Sequence, residues 1–198
     1  MKKAFCILFV FMGLLGLNAA TIDTTGASAG FSAFKTAKKL KVDGTFDNIT
    51  FKFGKKNDSI ASTLEGASAT MEAMKINLND EAKNTSLKNS FFSQFKKDKK
   101  GRQLIKVTFR NVIEGENTGT ILASVSMNGK SQKIPMQYTI QDGKIMAKGV
   151  IDVLDFGLSE AFAKLAKACK SMQRSPRRAY LDASRDLFHC TCEVIITR

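Results

Sequence analysis

Hydrophobic and polar positions alternate with period two through three consecutive runs between residues 121 and 147. In the first two runs the apolar set is Ile121, Ala123, Val125 and Met127, then Ile134, Met136, Tyr138 and Ile140. Such alternation places one residue set on one face of a sheet. Asn128-Gly129 and Asp142-Gly143 separate the runs, and these dipeptides supply the positive φ angles of two-residue hairpins. The pattern predicts three antiparallel strands whose apolar face meets either a packed core or a lipid-sized cavity.

Patterns outside this stretch predict further strands and two helices. Extended segments are indicated for Thr21 to Phe34, Val42 to Phe46, Ile49 to Phe53, Leu64 to Leu78, Ile105 to Phe109 and Val150 to Leu158. Asp80 is a candidate helix cap, and apolar residues at three- and four-residue spacing predict a helix over Ser159 to Met172. Short strands with one late amphipathic helix predict an antiparallel all-β domain, either a two-sheet sandwich or a closed barrel.

The first twenty residues have the order of a secretory signal peptide. Lys2-Lys3 gives a positive start, Ala4 to Leu17 is apolar, and Ala19-Ala20 offers small residues for cleavage. The apolar run is too short and wrongly flanked for a stable membrane anchor. We therefore expect residues 1–20 to be removed as a signal peptide and the mature chain to be periplasmic or secreted.

The chain is strongly basic, with a formal net charge of +13. Lysines are scattered through the predicted strands at outward positions (Lys52, Lys75, Lys106, Lys133, Lys144 and Lys148), and the one dense cluster, residues 96–100, lies beside Gly101 in a predicted turn. We interpret this cluster as a solvated turn in preference to a binding patch. Because an exported protein meets little nucleic acid, nucleic acid is not an expected partner, whereas an anionic envelope surface is compatible with the charge.

Side chains with catalytic or metal-binding chemistry are sparse. His189 is the one histidine of the chain, which leaves a nucleophile–histidine pair without support. Cys190 and Cys192 lack the two-residue spacer of the usual metal and redox motifs. Asp152 and Asp155 are three residues apart in a predicted strand, so alternation places them on opposite faces and they cannot converge for acid–base work. We therefore predict no enzymatic activity, no metal and no cofactor.

Several segments, in this order and spacing, resemble the YceI-like family of exported polyisoprenoid-binding, lipocalin-like proteins. They are Gly30-Phe31-Ser32-Ala33-Phe34 with Val42-Asp43-Gly44-Thr45-Phe46, then residues 84–92 ending in Phe91-Phe92, residues 105–109, the hairpin 127–136 and residues 149–158. The resemblance covers roughly residues 21–172. Some family members carry histidine or arginine where Ala33, Phe34 and Ser86 stand here, so the headgroup contacts of those members are not expected to carry over.

The resemblance implies an antiparallel eight-stranded, lipocalin-like barrel with a helical insert and one C-terminal amphipathic helix. It also implies a non-catalytic carrier whose apolar cavity holds a hydrophobic lipid: an isoprenoid, a quinone or a fatty-acyl chain. The expected wall residues are Phe31, Phe46, Phe51, Phe91, Phe92, Phe109, Met136, Tyr138 and Phe156. A plain core role is the alternative for each of them, and a filled structural barrel is the alternative function. A homodimer and transient contact with a membrane surface are compatible with either alternative.

Residues 173–198 differ in composition from the chain before them, because arginine replaces lysine after Lys170. Two hypotheses account for this divergent tail. In the first, Glu193 to Thr197 supplies the strand that closes the barrel. In the second, the C-terminus is frameshifted. Re-sequencing the 3′ end of the gene distinguishes them, since an intact reading frame in independent isolates excludes a frameshift.

Overall fold

Strands dominate the secondary structure, as the alternating pattern predicts. The computed structural model describes residues 22–35, 40–54, 58–172 and 189–197. Ten strands lie in these ranges: β1 Ser28–Lys35, β2 Leu40–Phe46, β3 Thr50–Lys52, β4 Ser68–Glu72, β5 Ile76–Asn77, β6 Leu104–Ile113, β7 Thr118–Met127, β8 Lys130–Gln141, β9 Lys144–Asp152 and β10 His189–Thr197. The helices are α1 Ile60–Leu64, α2 Glu81–Ser90 and α3 Ser159–Met172, with 3₁₀ helices at Ala73–Lys75, Phe92–Gln94 and Val153–Phe156. Across the described ranges, no helix has both the length and the apolar character needed to cross a membrane.

The three alternating runs form β7, β8 and β9, which confirms the hairpin prediction. Asn128 and Gly129 have φ values of 51° and 74°, and Asp142 and Gly143 have φ values of 50° and 70°. Positive φ at both central positions is the signature of a type I′ turn, whose twist matches that of the flanking strands. The apolar set of β7 is buried throughout, and in β8 Tyr138 is 0% exposed while Ile140 is half-buried.

All strand pairs are antiparallel, and the ten strands form one curled sheet in the order β3-β4-β6-β7-β8-β9-β10-β1-β2-β5. Four consecutive strands, β6 to β9, pair with their chain neighbours, and a register shift near Arg110 is the irregularity between β6 and β7. We call β6–β9 the continuous wall. Its inward side chains face the apolar core, so the all-β barrel interpretation of the sequence holds at the level of fold.

The chain segments 40–52 and 68–77 pair with each other in two separate places. β2 pairs with β5, and β3 pairs with β4. Between the two pairings the ladder is interrupted by the 3₁₀ helix at residues 73–75, where the Asp47 N–H donates to the Lys75 carbonyl at 2.8 Å. We call these two segments the interrupted wall. The first strand of the sheet order, β3, and the last, β5, both lie in these segments. The two edges of the curled sheet therefore meet there.

The end of the chain supplies a strand in the middle of the sheet order. β10 pairs with β9 on one side and with β1 on the other, and Val194 stands opposite Ala147 and Ala29. This placement agrees with the hypothesis of a closing strand and extends it from residue 193 back to residue 189. The frameshift hypothesis concerns the gene and stays a hypothesis. Residues 173–188 lie outside the described residues.

Two predicted strand segments are wrong in detail. The predicted strand from Val150 to Leu158 is instead the end of β9 followed by a 3₁₀ helix, because the Asp152 carboxylate accepts from the Leu154 N–H at 2.8 Å and starts that turn. Gly157 then ends the turn with φ of 69°. The predicted alternation through Met74 is also wrong, since the 3₁₀ helix there breaks the strand into β4 and β5.

The helices follow their local signals. The Asp80 carboxylate accepts from the Lys83 N–H at 3.1 Å, so the predicted cap of α2 is confirmed, and α3 has the predicted bounds. The sequence analysis missed α1, although Ser59 and Ser62 form a reciprocal capping box at its start. Thr63 and Leu64 of α1 are buried at 1% and 0% exposure, so this short helix is held by packing on the barrel.

The hairpins define two ends of the barrel. The upper end carries the Asn128-Gly129 turn. Strand β9 ends at the same end of the barrel and is followed by the 3₁₀ helix at residues 153–156 and by α3. Helix α2 contacts α3 there, since the segment between β5 and β6 lies at the same end. The lower end carries the Asp142-Gly143 turn, the β6–β7 connection and α1. The predicted wall residues are distributed between these two ends.

Candidate ligand-binding interior

Five phenylalanine rings form a continuous cluster inside the upper end. Phe91, Phe92 and Phe95 make three edge-on pairs with ring centroids 5.1–5.3 Å apart. Phe92 contacts Phe46 at 6.1 Å, and Phe46 contacts Phe31 at 5.8 Å. These separations are typical of favourable aromatic pairs. We call these five residues the upper aromatic cluster, and the sequence analysis had proposed four of them.

The end of α2 positions three of these rings. Phe91 closes the helix with its N–H donating to the Leu87 carbonyl at 3.0 Å, and the next turn is a 3₁₀ helix closed by the Phe95 N–H donating to the Phe92 carbonyl at 3.0 Å. All three rings are consequently buried, at 8%, 5% and 3% exposure. Phe95 was missed by the sequence analysis, although its four-residue spacing from Phe91 is a helical signal that could have found it.

A glycine makes room for the Phe31 ring against the wall. A Cβ atom at Gly44 would lie 2.7 Å from Phe31 Cζ and 2.5 Å from Leu78 Cδ2. Gly44 is opposite Phe31 in the β1–β2 ladder. The Phe31 ring therefore occupies the space that a side chain at position 44 would fill. Phe31 and Phe46 remain half-buried.

Phe51 and Phe109, two further predicted wall residues, lie in a second apolar region. Phe51 stacks on Phe53 at 5.9 Å, and both line a small void together with Phe109, Val107 and residues 67–69. The void has a volume of about 10 Å³, which is room for one water molecule and far from enough for a lipid chain. In this region the interior is packed by its own side chains.

Met136, Tyr138 and Phe156 are placed on or next to the continuous wall, with exposures of 5%, 0% and 0%. Tyr138 is the one residue of these three with a polar side-chain group, and its hydroxyl oxygen accepts a hydrogen bond from the Gly115 N–H at 3.4 Å. Burial raises the pKa of Tyr138, the negative charge of Glu114 adds to the rise, and the Gly115 hydrogen bond opposes it. The Tyr138 hydroxyl is therefore neutral at physiological pH.

The structure thus separates the nine predicted wall residues into three groups. Phe31, Phe46, Phe91 and Phe92 belong to the upper aromatic cluster, Phe51 and Phe109 border the small void, and Met136, Tyr138 and Phe156 fill the core beside the continuous wall. All nine are buried or half-buried. Such an interior offers burial of apolar surface and little else chemically, which suits a hydrophobic guest and equally suits a core.

An outer groove between β1 and β2 was not predicted. It has a volume of about 270 Å³ and is lined by residues 28–32, Lys41 and residues 43–45. The Ser32 hydroxyl donates to the Asp43 carboxylate at 2.5 Å, and Lys41 Nζ lies 2.9 Å from the same carboxylate. The Ser32 hydrogen bond, followed by Lys41, lowers the pKa of Asp43. Because its polar groups pair with one another and face water, the groove lacks the apolar enclosure that a lipid requires.

Within the described ranges no three side chains of His, Cys, Asp or Glu come together as a metal site. Asp152 acts as the cap of a 3₁₀ turn. The side chains of His189, Cys190 and Cys192 lie outside the described part of the chain, so the predictions made for them stay predictions.

Comparisons with known proteins agree with this architecture. The model of the YceI-like domain matches residues 21–172. A polyisoprenoid binding domain from Saccharophagus degradans has a similar structure, with a TM-score of 0.53 at 12% identity over 90% of this chain and 96% of that one. Burkholderia cenocepacia BcnA gives 0.54 at 11% identity over 89% and 99%. A Campylobacter jejuni YceI protein gives 0.53 at 16% identity over 83% and 90%. No curated protein sequence matches the chain.

Proposed function

Because the chain belongs to the YceI-like family, we propose that it is a non-catalytic lipid-binding protein. Its guest is an isoprenoid, a quinone or a fatty-acyl chain, held inside the barrel and thereby sequestered or carried. The Saccharophagus degradans domain of similar fold is described as polyisoprenoid-binding. Each methylene that a guest buries contributes about 0.8 kcal/mol, so a long chain can be retained without any catalytic or metal group.

The upper aromatic cluster is the observation that carries this proposal. Its rings run without a gap from Phe31 in β1 to Phe95 beyond α2. Phe31 and Phe46 are half-buried, so they have more freedom to move than the fully packed side chains of the continuous wall. A linear apolar chain that slides between movable rings gains contacts along its whole length. The cluster is therefore the proposed entry to the guest site.

The guest must displace side chains, because the void beside Phe109 is water-sized. The interrupted wall and the residue that follows it offer the side chains that can give way: Phe46, Phe51 and Met74 of the wall, and Leu78 after it, are packed against the core but only half-buried. Methionine in particular repacks easily because it is unbranched and flexible. We propose that binding opens the interior along this wall, while the continuous wall keeps its shape.

The strand count fits the same proposal. If residues 40–52 and 68–77 are each taken as one interrupted strand, the ten strands of the sheet reduce to the eight of a lipocalin-like barrel. Barrels of about this size can hold one small ligand. We further propose that residues 1–20 direct export, so that the mature chain acts in the periplasm or outside the cell. N-terminal sequencing of the purified protein would test this, and retention of Met1 would contradict it.

Native mass spectrometry of the full chain, purified without detergent, tests lipid binding. The expected result is a mass increase matching a prenyl, quinone or acyl lipid, with the same lipid recovered by organic extraction. Addition of a polyprenyl lipid to stripped protein should raise the melting temperature, since a ligand that binds only the native state stabilises it. A protein that emerges empty and shows no thermal shift with prenyl or acyl lipids would contradict the proposal.

A filled structural barrel is the second candidate, and the water-sized void favours it. In that case Phe51, Phe109 and the upper aromatic cluster are core residues with no guest. The two candidates differ in one measurable way. Phe92→Ala should lower the affinity for lipid by more than its effect on stability explains only if the cluster contacts a guest. If Phe92→Ala lowers stability and neither the wild type nor the variant binds lipid, the filled barrel is supported.

A further inference from the structure

The upper end carries a group of exposed basic side chains that the interior does not use. They lie in the loop after the upper aromatic cluster and at the start of β8: Lys96, Lys97, Lys99, Lys100, Arg102 and Lys130. We call these six residues the basic end. The one acidic residue of the loop is Asp98. The grouping therefore departs from the scattered lysines elsewhere in the sheet.

Two hydrogen bonds from one side chain hold the separate parts of the basic end together. The Lys96 N–H donates to Asn128 Oδ1 at 2.9 Å, and Asn128 Nδ2 donates to the Phe156 carbonyl at 2.9 Å. The loop, the β7–β8 turn and the segment before α3 are thus tied at one point. The basic side chains consequently share a single face of the barrel.

Two glycines leave room for the lysine side chains on this face. A Cβ atom at Gly129 would lie 3.1 Å from Lys96 Cδ, and one at Gly157 would lie 3.0 Å from Lys130 Nζ. Both glycines have positive φ, so they are needed for the turns as well. The Lys96 and Lys130 side chains lie across these turns, close to the point that Asn128 ties together.

Asp98 builds the loop and pairs with only one of the cations. Its carboxylate accepts from the Lys100 N–H at 2.8 Å, from the Arg102 N–H at 2.9 Å and from Arg102 Nη2 at 2.9 Å. In the described part of the chain, none of the ion pairs includes Lys97, Lys99 or Lys100. The loop is therefore a fixed scaffold that presents three ammonium groups to the surroundings.

The basic end lies directly over the proposed entry for the guest. Phe95 of the upper aromatic cluster immediately precedes Lys96 and is 3% exposed, whereas Lys96 is exposed. On the other side of the cluster, Lys164 of α3 donates to Gln94 Oε1 at 2.5 Å. Lys96 and Lys164 thus both lie next to the segment that carries the buried Phe95 ring.

In place of the solvated-turn interpretation of residues 96–100, we propose that the basic end docks the protein on an anionic bilayer surface, with the upper aromatic cluster turned toward the lipid. The inference rests on the proposed function, since a lipid guest has to be taken from or delivered to a membrane. Each lysine near a surface rich in anionic headgroups raises the affinity of the protein for that surface roughly fivefold, and added salt weakens this attraction by screening it. A soluble polyanion such as nucleic acid would use the charge but not the aromatic cluster beneath it.

Vesicle co-sedimentation of the full chain tests the docking. Vesicles of phosphatidylglycerol and phosphatidylcholine should bind the protein at low salt, and pure phosphatidylcholine should not. The triple variant Lys97→Gln, Lys99→Gln, Lys100→Gln should bind anionic vesicles at least tenfold more weakly. A matched control, Lys52→Gln, Arg110→Gln, Lys144→Gln, removes the same charge from exposed positions nearer the lower end and should lose much less.

Three results would overturn the docking proposal: equal losses in the two triple variants, binding that does not depend on phosphatidylglycerol, or displacement from vesicles by single-stranded DNA at an equal concentration of phosphate. The proposed lipid guest is tested separately by the thermal shift with a polyprenyl lipid added in solution. Normal thermal shifts with absent docking would refute the docking alone. Docking without any thermal shift would refute the guest proposal alone.

Discussion

The continuous wall and the interrupted wall enclose the same interior with different side chains. Most inward side chains of the continuous wall are buried, among them Phe109 and Tyr138. The interrupted wall also has buried residues, such as Met71 and Ile76, but its two phenylalanines, Phe46 and Phe51, contact the core and remain half-buried. Of the two walls, the one with the interrupted ladder therefore holds the half-buried phenylalanines.

This difference indicates where a barrel of this kind can change. In the continuous wall neighbouring strands are joined by six to ten residue pairs, so moving one side chain disturbs a packed layer. In the interrupted wall the two segments pair with each other over only two and three residue pairs. Short ladders resist deformation less, because fewer hydrogen bonds and fewer cross-strand contacts oppose it.

The largest expected difference between the walls comes from two phenylalanines that line the same void. Phe109→Ala should destabilise the protein by about 3–5 kcal/mol, because the ring is 5% exposed and leaves a cavity. Phe51→Ala should cost about half as much, because Phe51 is half-buried. Urea unfolding followed by circular dichroism measures both. Equal costs would show that the interrupted wall is packed as tightly as the continuous wall.

Two glycines provide the next comparison. A Cβ atom at Gly119 would lie 2.3 Å from the Ile113 carbonyl oxygen and 2.4 Å from the Tyr138 ring. Gly119→Ala should therefore cost about 1–3 kcal/mol, because backbone has to move. For Gly44→Ala in the interrupted wall, the nearest atoms belong to the side chains of Phe31 and Leu78, which can rotate away, so this substitution should cost less. Thermal denaturation of both variants measures the difference, and a larger loss for Gly44→Ala would contradict it.

The two type I′ turns of the continuous wall allow the stability effects of two matched substitutions to be compared within one wall. Asn128→Ala removes the hydrogen bonds to Lys96 and Phe156. Asp142→Ala is the control, because Asp142 has a φ of 50° and Asn128 a φ of 51°. Both substitutions carry the cost of alanine in the left-handed region, so the excess for Asn128→Ala, about 1–2 kcal/mol, isolates the two hydrogen bonds. Equal midpoints in urea would show that the upper end is not tied through Asn128.

The smallest expected effect is a pH dependence from Tyr138. Its pKa is raised above the ordinary value of 10.0, so the unfolded chain loses the phenolic proton first. The stability that depends on this proton is present below pH 10 and is lost as pH rises beyond it. Comparison of wild type with Tyr138→Phe between pH 8 and 11 isolates this loss, since the other tyrosine, Tyr180, is common to both proteins. Identical slopes would contradict a raised pKa.

The local features of this fold could be predicted from the sequence because short-range chemistry specifies them. Asn128-Gly129 and Asp142-Gly143 permit the positive φ angles of their turns, and Asp80 caps the helix that follows it. Alternation then fixes which residues of β7 and β8 face inward. Four of the five rings in the upper aromatic cluster were named as wall residues, because the family resemblance pointed to the segments that carry them.

The remaining features of the fold depend on contacts between segments that are distant in the sequence. The break in the interrupted wall needs Asp47 to meet Lys75, and β10 needs both β9 and β1 as partners. The basic end exists because Asn128 reaches Lys96 and Phe156. Period-two alternation records which face of a strand is dry, but it carries no information about which strand lies beside it or how closely the inward side chains fill the space. Pairing and packing are set by the whole chain, so the sequence pattern determined the faces and the fold determined the interior.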